Sequence, residues 1–508
     1  MIPGQTVGVG LATETDLERL RQMALLLEAE NARLHRRLVE LTRALAQAQG
    51  AAHAQLELEI QRLQEQLAAR TRALFGPSSE RRGGDEPAEA PRAPAPPRGH
   101  GPRAQAALPL VEIVHTRLGE AAPCPQCGGT LEPWHDQYEE AEEIDVVERS
   151  FRIVRHRRQK YRCECGGCIV TAPGPAKLVP GGRYSVDFAV TVAVAKYLDH
   201  LPLARQVRQM ARAGLTVDTQ TLWDQLLALS HHLTPTYEAL LADVLTAPVL
   251  GADETTWQLM EPGRSKTWWV WALCRPDAVV YRLLGTRSAA GAATVLGDYR
   301  GIVLCDGYAA YRALAKRGTE ERAGPTITLA HCWAHVRRQY VEAEPSYPQT
   351  AEILARIGEL YAAEAAARET AAGEPGVFLA ERRARVAPVV EAIRTWVAQQ
   401  RALPQSALGK ALAYTTELWP GLVAFLDHAA IPVDNNATER ALRGIALGRK
   451  NHYGSRSERG TRVAALCYTL LESAKLAGVE PAAYLAEATR RAIATPGTVT
   501  LPRDLANA

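Results

Sequence analysis

The chain has 508 residues, a formal net charge of +3 and 47% hydrophobic residues. That length admits several domains and at least one sizeable core. So small a net charge excludes whole-chain electrostatics as the way to hold a polyanion, and cationic surface has to be sought locally. There is no run of eighteen apolar residues, and the start, Met1-Ile-Pro-Gly-Gln5, has no basic stretch followed by an apolar one. Neither a membrane span nor a secretory signal is therefore expected. Of nine cysteines, five crowd between residues 124 and 168. In a cytosolic chain that crowding points to metal binding before disulfides.

Residues 14–75 read as one long helix. Leu20, Leu27, Leu34 and Leu41 recur every seven residues, with Leu17, Leu38 and Leu45 in the companion position and Asn31 interrupting that row. A single Asn in such a row fixes register and favours two strands. The phase slips by one residue near Gly50, where Leu56, Leu63, Ile60, Leu67 and Leu74 take over. The stripe is open to packing against the chain itself. Its narrowness, with Glu, Arg and Gln on the other faces, favours a coiled coil that joins protomers into a homodimer or higher oligomer. Residues 76–107, with Pro77, Pro87, Pro91, Pro94, Pro96, Pro97 and Pro102, form a linker that has no core to bury.

A zinc ribbon is expected over residues 121–173. Cys124-Pro-Gln-Cys127-Gly-Gly is a knuckle whose glycines let both thiolates turn to one ion. Cys163-Glu-Cys165-Gly-Gly-Cys168 offers the second pair, with Cys165 and Cys168 favoured and Cys163 the alternative. Four ligands from these five would hold one structural Zn²⁺. Between the knuckles, residues 149–162 mix β-formers with Arg155, Arg157 and Arg158. Such a strand would lie along a phosphate backbone or stand solvated. Helices are expected at Ser185–His200, Leu203–Ala213, Thr219–His232 and Tyr237–Leu245. The break at Gly214 resembles the turn of a helix-turn-helix within a region spanning 183–247.

The pattern then becomes α/β. Strands fit Val249–Asp253, Thr267–Leu273, Ala278–Leu284 and Ile302–Asp306, with a helix at Ser288–Leu296. Three strands in a meander and a crossover helix to a fourth beside the first give the order of ribonuclease-H-like nucleases. That order makes Asp253 and Asp306 neighbours at carboxyl ends of strands, where α/β sheets present functional groups. Two adjacent carboxylates repel, and divalent cations relieve the repulsion. Trp257, Trp268, Trp269 and Trp271 are expected in the core of the sheet, with one of them able to stack on an unpaired base. Residues 345–429 read as an all-helical insertion. Beyond it, Asp434-Asn-Asn-Ala-Thr-Glu439 opens a helix with Asp434 or Asn435 as cap. Glu439 has an ordinary role open to it, an i,i+4 pair with Arg443. The neighbouring Arg440, Arg443, Arg449 and Lys450 instead suggest a carboxylate holding metal over a polyanion gripped by cationic side chains.

Together the heptad helix, the Cys124 knuckle, Lys196-Tyr-Leu-Asp-His-Leu-Pro-Leu203, Ala252-Asp-Glu-Thr255 and Asp306-Gly-Tyr308 resemble the DDE transposases of the insertion-sequence sixty-six family. Cys332-Trp-Ala-His335, the stretch Asp434–Arg443, Leu447-Gly-Arg-Lys-Asn451 and Ser473-Ala-Lys-Leu476 extend that resemblance over roughly residues 15 to 485. It implies that Asp253, Asp306 and Glu439 are the catalytic acids, holding two Mg²⁺ (or Mn²⁺) ions. The expected chemistry is cleavage at insertion-sequence ends followed by strand transfer. The expected partners are terminal-repeat and target DNA, together with accessory proteins of the same element, for a cytoplasmic, nucleoid-associated protein with no membrane partner. One departure stands at the second knuckle, where the family tends to start Cys-x-x-Cys at the position of Cys163 and this chain has Gly166 three residues on. Cys332 and His335 fall one helical turn apart, which suits a metal or a packed pair. With no two further ligands in view, a site-supporting role is expected. The resulting fold class is multidomain α+β: an N-terminal coiled coil, a zinc ribbon, a helical DNA-binding region, and a ribonuclease-H-like α/β catalytic core (248–344 and 430–475) with its helical insertion, then a C-terminal tail (476–508). The competing reading is a catalytically inactive DNA-binding or regulatory protein on the same fold, or a nuclease that cuts without joining.

Overall fold

The computed structural model describes residues 33–42, 44, 56, 59–60, 63, 151–157, 160–162, 169–171, 174–261, 264–320 and 326–506. Asn31, the linker, Arg158 and all five clustered cysteines, Cys124, Cys127, Cys163, Cys165 and Cys168, lie outside these residues. Residues 33–42 are helical, with Leu34 and Leu41 buried as their heptad spacing requires. Arg37 pairs with Glu59 at 3.3 Å. A straight helix would hold residues 22 apart at about 33 Å. Arg37 and Glu59 are therefore not joined by one straight helix, and most of the expected 14–75 helix lies outside the described residues. The expected basic strand is also shorter than its pattern. Residues 151–157 form no strand and Phe151 packs edge-on to Phe188 at 6.3 Å. Strand β1 (Lys160–Arg162) pairs antiparallel with β2 (Ile169–Thr171).

Helices α1 (Val186–Tyr197), α2 (Leu203–Arg212) and α3 (Thr219–Val244) follow. Gly214 makes the α2–α3 turn at φ 81°, a conformation only glycine adopts freely, and Asp218 caps α3 by accepting the Thr221 N–H at 2.6 Å. The two helices expected over 219–245 are one helix running through Pro235. Interior proline costs about 3 kcal/mol. The buried stripe Leu222, Leu226, Leu229, Leu233, Leu240 and Val244 spans it and keeps the helix whole.

The sheet contains β3 (Val249–Glu261), β4 (Arg264–Arg275), β5 (Ala278–Leu284), β6 (Arg300–Cys305) and β7 (Thr326–His331), in the order β5-β4-β3-β6-β7. The first three pair antiparallel, and β3–β6–β7 are parallel. The crossover helix from β5 to β6 is α4 (Ala289–Leu296), capped by Ser288. α5 (Ala309–Glu320) leads to β7, a strand not anticipated from the sequence, and α6 (Trp333–Ala343) follows it. β3 does not stop at Asp253. The run Thr255-Thr-Trp-Gln-Leu259 continues the β pattern and pairs with β4 out to Glu261. Only the parallel pairing with β6 ends near Asp253, its last register being Gly251 with Leu304.

Alternation along β6 divides the interior between two cores. Val303 and Cys305 join one and Ile302 and Leu304 the other, as a period of two requires. The first core lies among α1, α3, α11 (Glu458–Leu476) and α12 (Pro481–Ala494). α11 covers the edge strand β5: Thr469 Oγ1 accepts the Tyr281 N–H at 2.9 Å, and Ser473 Oγ both accepts from Val279 N–H and donates to Val279 C=O. These hydroxyls satisfy an edge that would otherwise be open to another chain. The expected tail over 476–508 is instead a structural element, because Tyr484, Leu485 and Ala488 of α12 are buried in this core.

The second core is built by the helical insertion, α7 (Thr350–Ala371), α8 (Pro375–Gln399) and α9 (Ala407–Val423). Arg382 of α8 is fully buried. It forks onto both oxygens of Glu364 at 2.9 and 2.6 Å and donates to the carbonyls of Phe425 and His428. Removing one partner of a buried, bidentate pair leaves an uncompensated charge and costs about 3–5 kcal/mol. Glu364→Ala is therefore expected to lower denaturant stability by about that much, while an exposed change such as Arg394→Ala stays within about 0.5 kcal/mol. Equal midpoints for the two variants would contradict this account of the insertion.

Candidate active site

Asp253 and Asp306 each lie two residues beyond the paired Gly251 and Leu304, so the parallel register sets them level on neighbouring strands. The Asp253 carboxylate accepts the backbone N–H of Glu254 at 2.8 Å, and that of Asp306 accepts from Tyr308 N–H at 2.9 Å. The Asp306 carbonyl also takes the Tyr414 hydroxyl of α9, a short hydrogen bond that ties the insertion to the end of β6.

Glu439 arrives on α10 (Asn436–His452). The segment before it is stitched to the strand ends: Trp333 N–H donates to Val433 C=O at 3.1 Å, and Asn435 N–H to Cys332 Sγ at 3.2 Å. Asn435 does not cap the helix with its side chain. Its Nδ2 donates to Ala252 C=O at 3.0 Å, beside Asp253, and its Oδ1 accepts from Thr438 Oγ1 at 2.7 Å. This seam exists because residue 251 is glycine. A Cβ there would lie 2.2 Å from Thr438 Oγ1 and 2.7 Å from Asn435 Oδ1. Tyr281 OH holds the next turn through Ala441 C=O at 2.8 Å.

Glu439 and Asp306 both lie near enough to Asp253 for their charges to act on its carboxyl. Burial is the main force pushing the Asp253 carboxyl up from 3.8 to about 7, and the nearby charges of Glu254, Asp306 and Glu439 add to it. The ion-pair partners of Glu439 are His335 Nε2 at 3.5 Å and Arg338 at 3.8 Å, so the alternative i,i+4 pair with Arg443 is not formed. Its Oε1 is buried and makes no hydrogen bond. Cys332 is buried at the start of α6, and its ligand atom lies within 4.8 Å of those of His335 and Glu439.

Strand alternation turns Glu254 away from Asp253, and its side chain is 1% exposed. Arg287 Nε donates to it at 2.7 Å and Tyr311 OH at 3.0 Å. The Arg287 guanidinium lies over the rings of Tyr308, at 4.0 Å, and Trp269, at 4.9 Å. Burial raises the Glu254 carboxyl, and Arg287 counters it. The sequence signal for this network was an acid inside a strand, which needs a buried partner.

Of the candidate cationic residues, Arg440, Arg443 and Lys450 are exposed on α10. Arg449 is not free for a ligand, because its guanidinium is bonded to the Thr256 carbonyl and hydroxyl and lies 3.3 Å from Thr255 Oγ1. Arg155 and Arg157 are exposed on the segment without strand pairing. Trp257 and Trp271 are buried, while Trp268 and Trp269 are half-buried. Among the described residues no helix is long and apolar enough to cross a membrane.

Residues 181–463 match the family described as Transposase IS66 family, and residues 122–166 match the zinc-finger binding domain of transposase IS66. The second match includes Cys124, Cys127, Cys163 and Cys165 and ends before Cys168. Among similar proteins of Sinorhizobium fredii, Uncharacterized protein y4jD is 33% identical over 408 residues, covering 77% of this chain and 78% of its own. Uncharacterized protein y4qI is 31% identical over 426 residues, covering 81% and 76%, and Uncharacterized protein y4hP is 28% identical over 401 residues, covering 74% and 71%. With more than half its length matched and relatives aligned over most of theirs, the chain belongs to the IS66 family of transposases.

Proposed function

We propose that this protein cuts DNA at insertion-sequence ends and joins those ends to target DNA, using Asp253, Asp306 and Glu439 as metal-holding catalytic acids on a ribonuclease-H-like core. The observation that carries the reading is the convergence of three carboxylates from β3, the end of β6 and α10, with the Asp253 proton held to about 7 by burial and by its acidic neighbours. The strand order β5-β4-β3-β6-β7, with the meander antiparallel and β6 and β7 parallel to β3, supports the fold assignment.

The donor set fits hard divalent cations: all-oxygen ligands, mutual repulsion, and a buried Glu439 Oε1 without a hydrogen-bond donor. Two Mg²⁺ or Mn²⁺ ions held there supply Lewis-acid activation of the attacking hydroxyl and of the leaving 3′-oxygen. The chain's own part is positioning. Glu254 N–H and Tyr308 N–H orient the aspartates, and the Gly251 seam orients Glu439. Arg440, Arg443 and Lys450 offer phosphate contacts beside the acids. Arg205, Arg208 and Arg212, all exposed at i, i+3 and i+7 on α2, offer a second cationic face for duplex ends. A structural Zn²⁺ on four of the five clustered cysteines, and assembly into a dimer or larger complex able to hold two ends, complete the proposal.

Asp253→Ala, Asp306→Ala and Glu439→Ala are each expected to abolish nicking and joining of labelled terminal-repeat DNA while retaining its binding. Full strand transfer by any one of them would sink the assignment. Gly251→Ala is expected to lower cleavage severely by pushing α10 off β3, and Thr438→Ala added to it should recover part of the loss. Wild-type cleavage by Gly251→Ala would show that the seam does not set the site. The pH dependence has a defined sign. Between 3.8 and about 7 the folded chain keeps an Asp253 proton that the unfolded chain releases, so this group favours folding below that window and the contribution is lost as pH rises through about 7. A cation must displace the same proton. Calorimetric Mg²⁺ titration slightly below neutral pH, in buffers of different ionisation heat, is expected to show proton release that Asp253→Asn removes. Identical heats in all buffers would contradict it.

A further inference from the structure

Glu439 is shared between two sets of donors. Its charge acts on Asp253, and its carboxylate also lies beside Cys332 and His335. The second set is chemically distinct. Its three ligand atoms, a thiol sulfur, an imidazole nitrogen and a carboxylate oxygen, lie within 4.8 Å of one another, and His335 Nε2 is already 3.5 Å from Glu439 Oε1. Tetrahedral Zn²⁺ coordination needs donor atoms about 3.5 Å apart. Small side-chain rotations therefore close the trio on one ion.

We propose that Cys332, His335 and Glu439 form a separate site for a borderline-soft divalent cation of the Zn²⁺ class, and that occupation of this site withdraws Glu439 from Asp253 and Asp306. Three observations beyond proximity support a built site. The oxygen Glu439 Oε1 is buried with no hydrogen-bond partner. Buried polar atoms left unpaired in a folded protein call for an ion or a water. Cys332 is fixed in place, because its sulfur accepts the Asn435 N–H and it begins α6. His335 and Glu439 keep 18% and 22% of their side chains exposed, which gives the ion an approach from solvent and leaves a fourth position for water. Sulfur and imidazole select Zn²⁺, Co²⁺ or similar ions over Mg²⁺, which demands oxygen and octahedral geometry. The two cation classes thereby compete for one carboxylate. Arg338 lies 3.8 Å from Glu439, with its side chain 44% exposed.

The catalytic consequence rests on the proposed function, whereas the binding does not. The test titrates the full-length chain, its structural zinc already loaded, with Co²⁺ and records the near-ultraviolet thiolate-to-cobalt charge-transfer band. Wild-type protein is expected to gain this band with one further equivalent of metal and to keep it in excess Mg²⁺. Cys332→Ser, which retains an acceptor for Asn435 N–H, should lose the band, and the partly buried change His335→Ala should weaken the binding. A wild-type chain with no added band, or one whose band is unchanged in both variants, would overturn the site. In a strand-transfer assay run in Mg²⁺, added Zn²⁺ should inhibit wild type and lose its grip on any activity left in the two variants; equal inhibition of all three would overturn the sharing of Glu439. A chain that gains the band yet never joins DNA would retire the functional reading and leave the cation site standing.

Discussion

The close approach of α10 to β3 at Gly251 is the contact on which the site depends. Two strand-borne aspartates are placed by backbone register alone, but a carboxylate on a helix more than a hundred residues later has no such guide. The missing side chain at 251 creates the room. Asn435 fills it, spending its amide nitrogen on Ala252 C=O, its amide oxygen on Thr438 and its backbone N–H on Cys332. One residue thus joins β3, α6 and α10, and the third acid is carried in by the first turn that follows. Hydrogen bonds inside a low-dielectric interior are directional and expensive to leave unmade, so this seam defines position as well as stability.

The same burial that sharpens these bonds makes the acids uncomfortable. Burial holds the Asp253 proton up to about 7, and it also raises the Glu254 carboxyl on the opposite face of the strand, where Arg287 counters it. The protein sets its own arginine against one of the two adjacent acids, and among the described residues no cation is paired with the other. That asymmetry is what a ligand-binding site looks like in electrostatic terms. The cationic side chains divide likewise: Arg449 is consumed in holding α10 to β3, while Arg440, Arg443 and Lys450 face outward.

Asp306 stands where the sequence places it, just past a short apolar strand, whereas Asp253 lies inside the longer β3 and is level with Asp306 only through the parallel register. Glu439 was legible only through its basic surroundings and its family resemblance, since its placement is tertiary. The roles of Gly251, Asn435 and Thr438 left no local trace: glycine in a strand and asparagine before a helix both have common local explanations, and the real reason is each other. β7 was missed because Thr326-Ile-Thr-Leu-Ala-His331 is short and flanked by helices. The helix through Pro235 and the buried α12 were misjudged for one cause, that packing of an apolar stripe outweighs local signals of interruption or of a tail.

The insertion, α7 to α9, closes the sheet from the other side and reaches the end of β6 through Tyr414. The most direct test of the central claim is to replace Mg²⁺ by Fe²⁺ and, with ascorbate and peroxide, map where hydroxyl radicals cut the polypeptide. A metal held jointly by the three acids predicts backbone cuts in three places, at β3 near Asp253, after β6 near Asp306 and in the first turn of α10 near Glu439, all lost together in Asp306→Asn. Cuts that spare the neighbourhoods of Asp253 and Asp306, or that persist unchanged in Asp306→Asn, would contradict it.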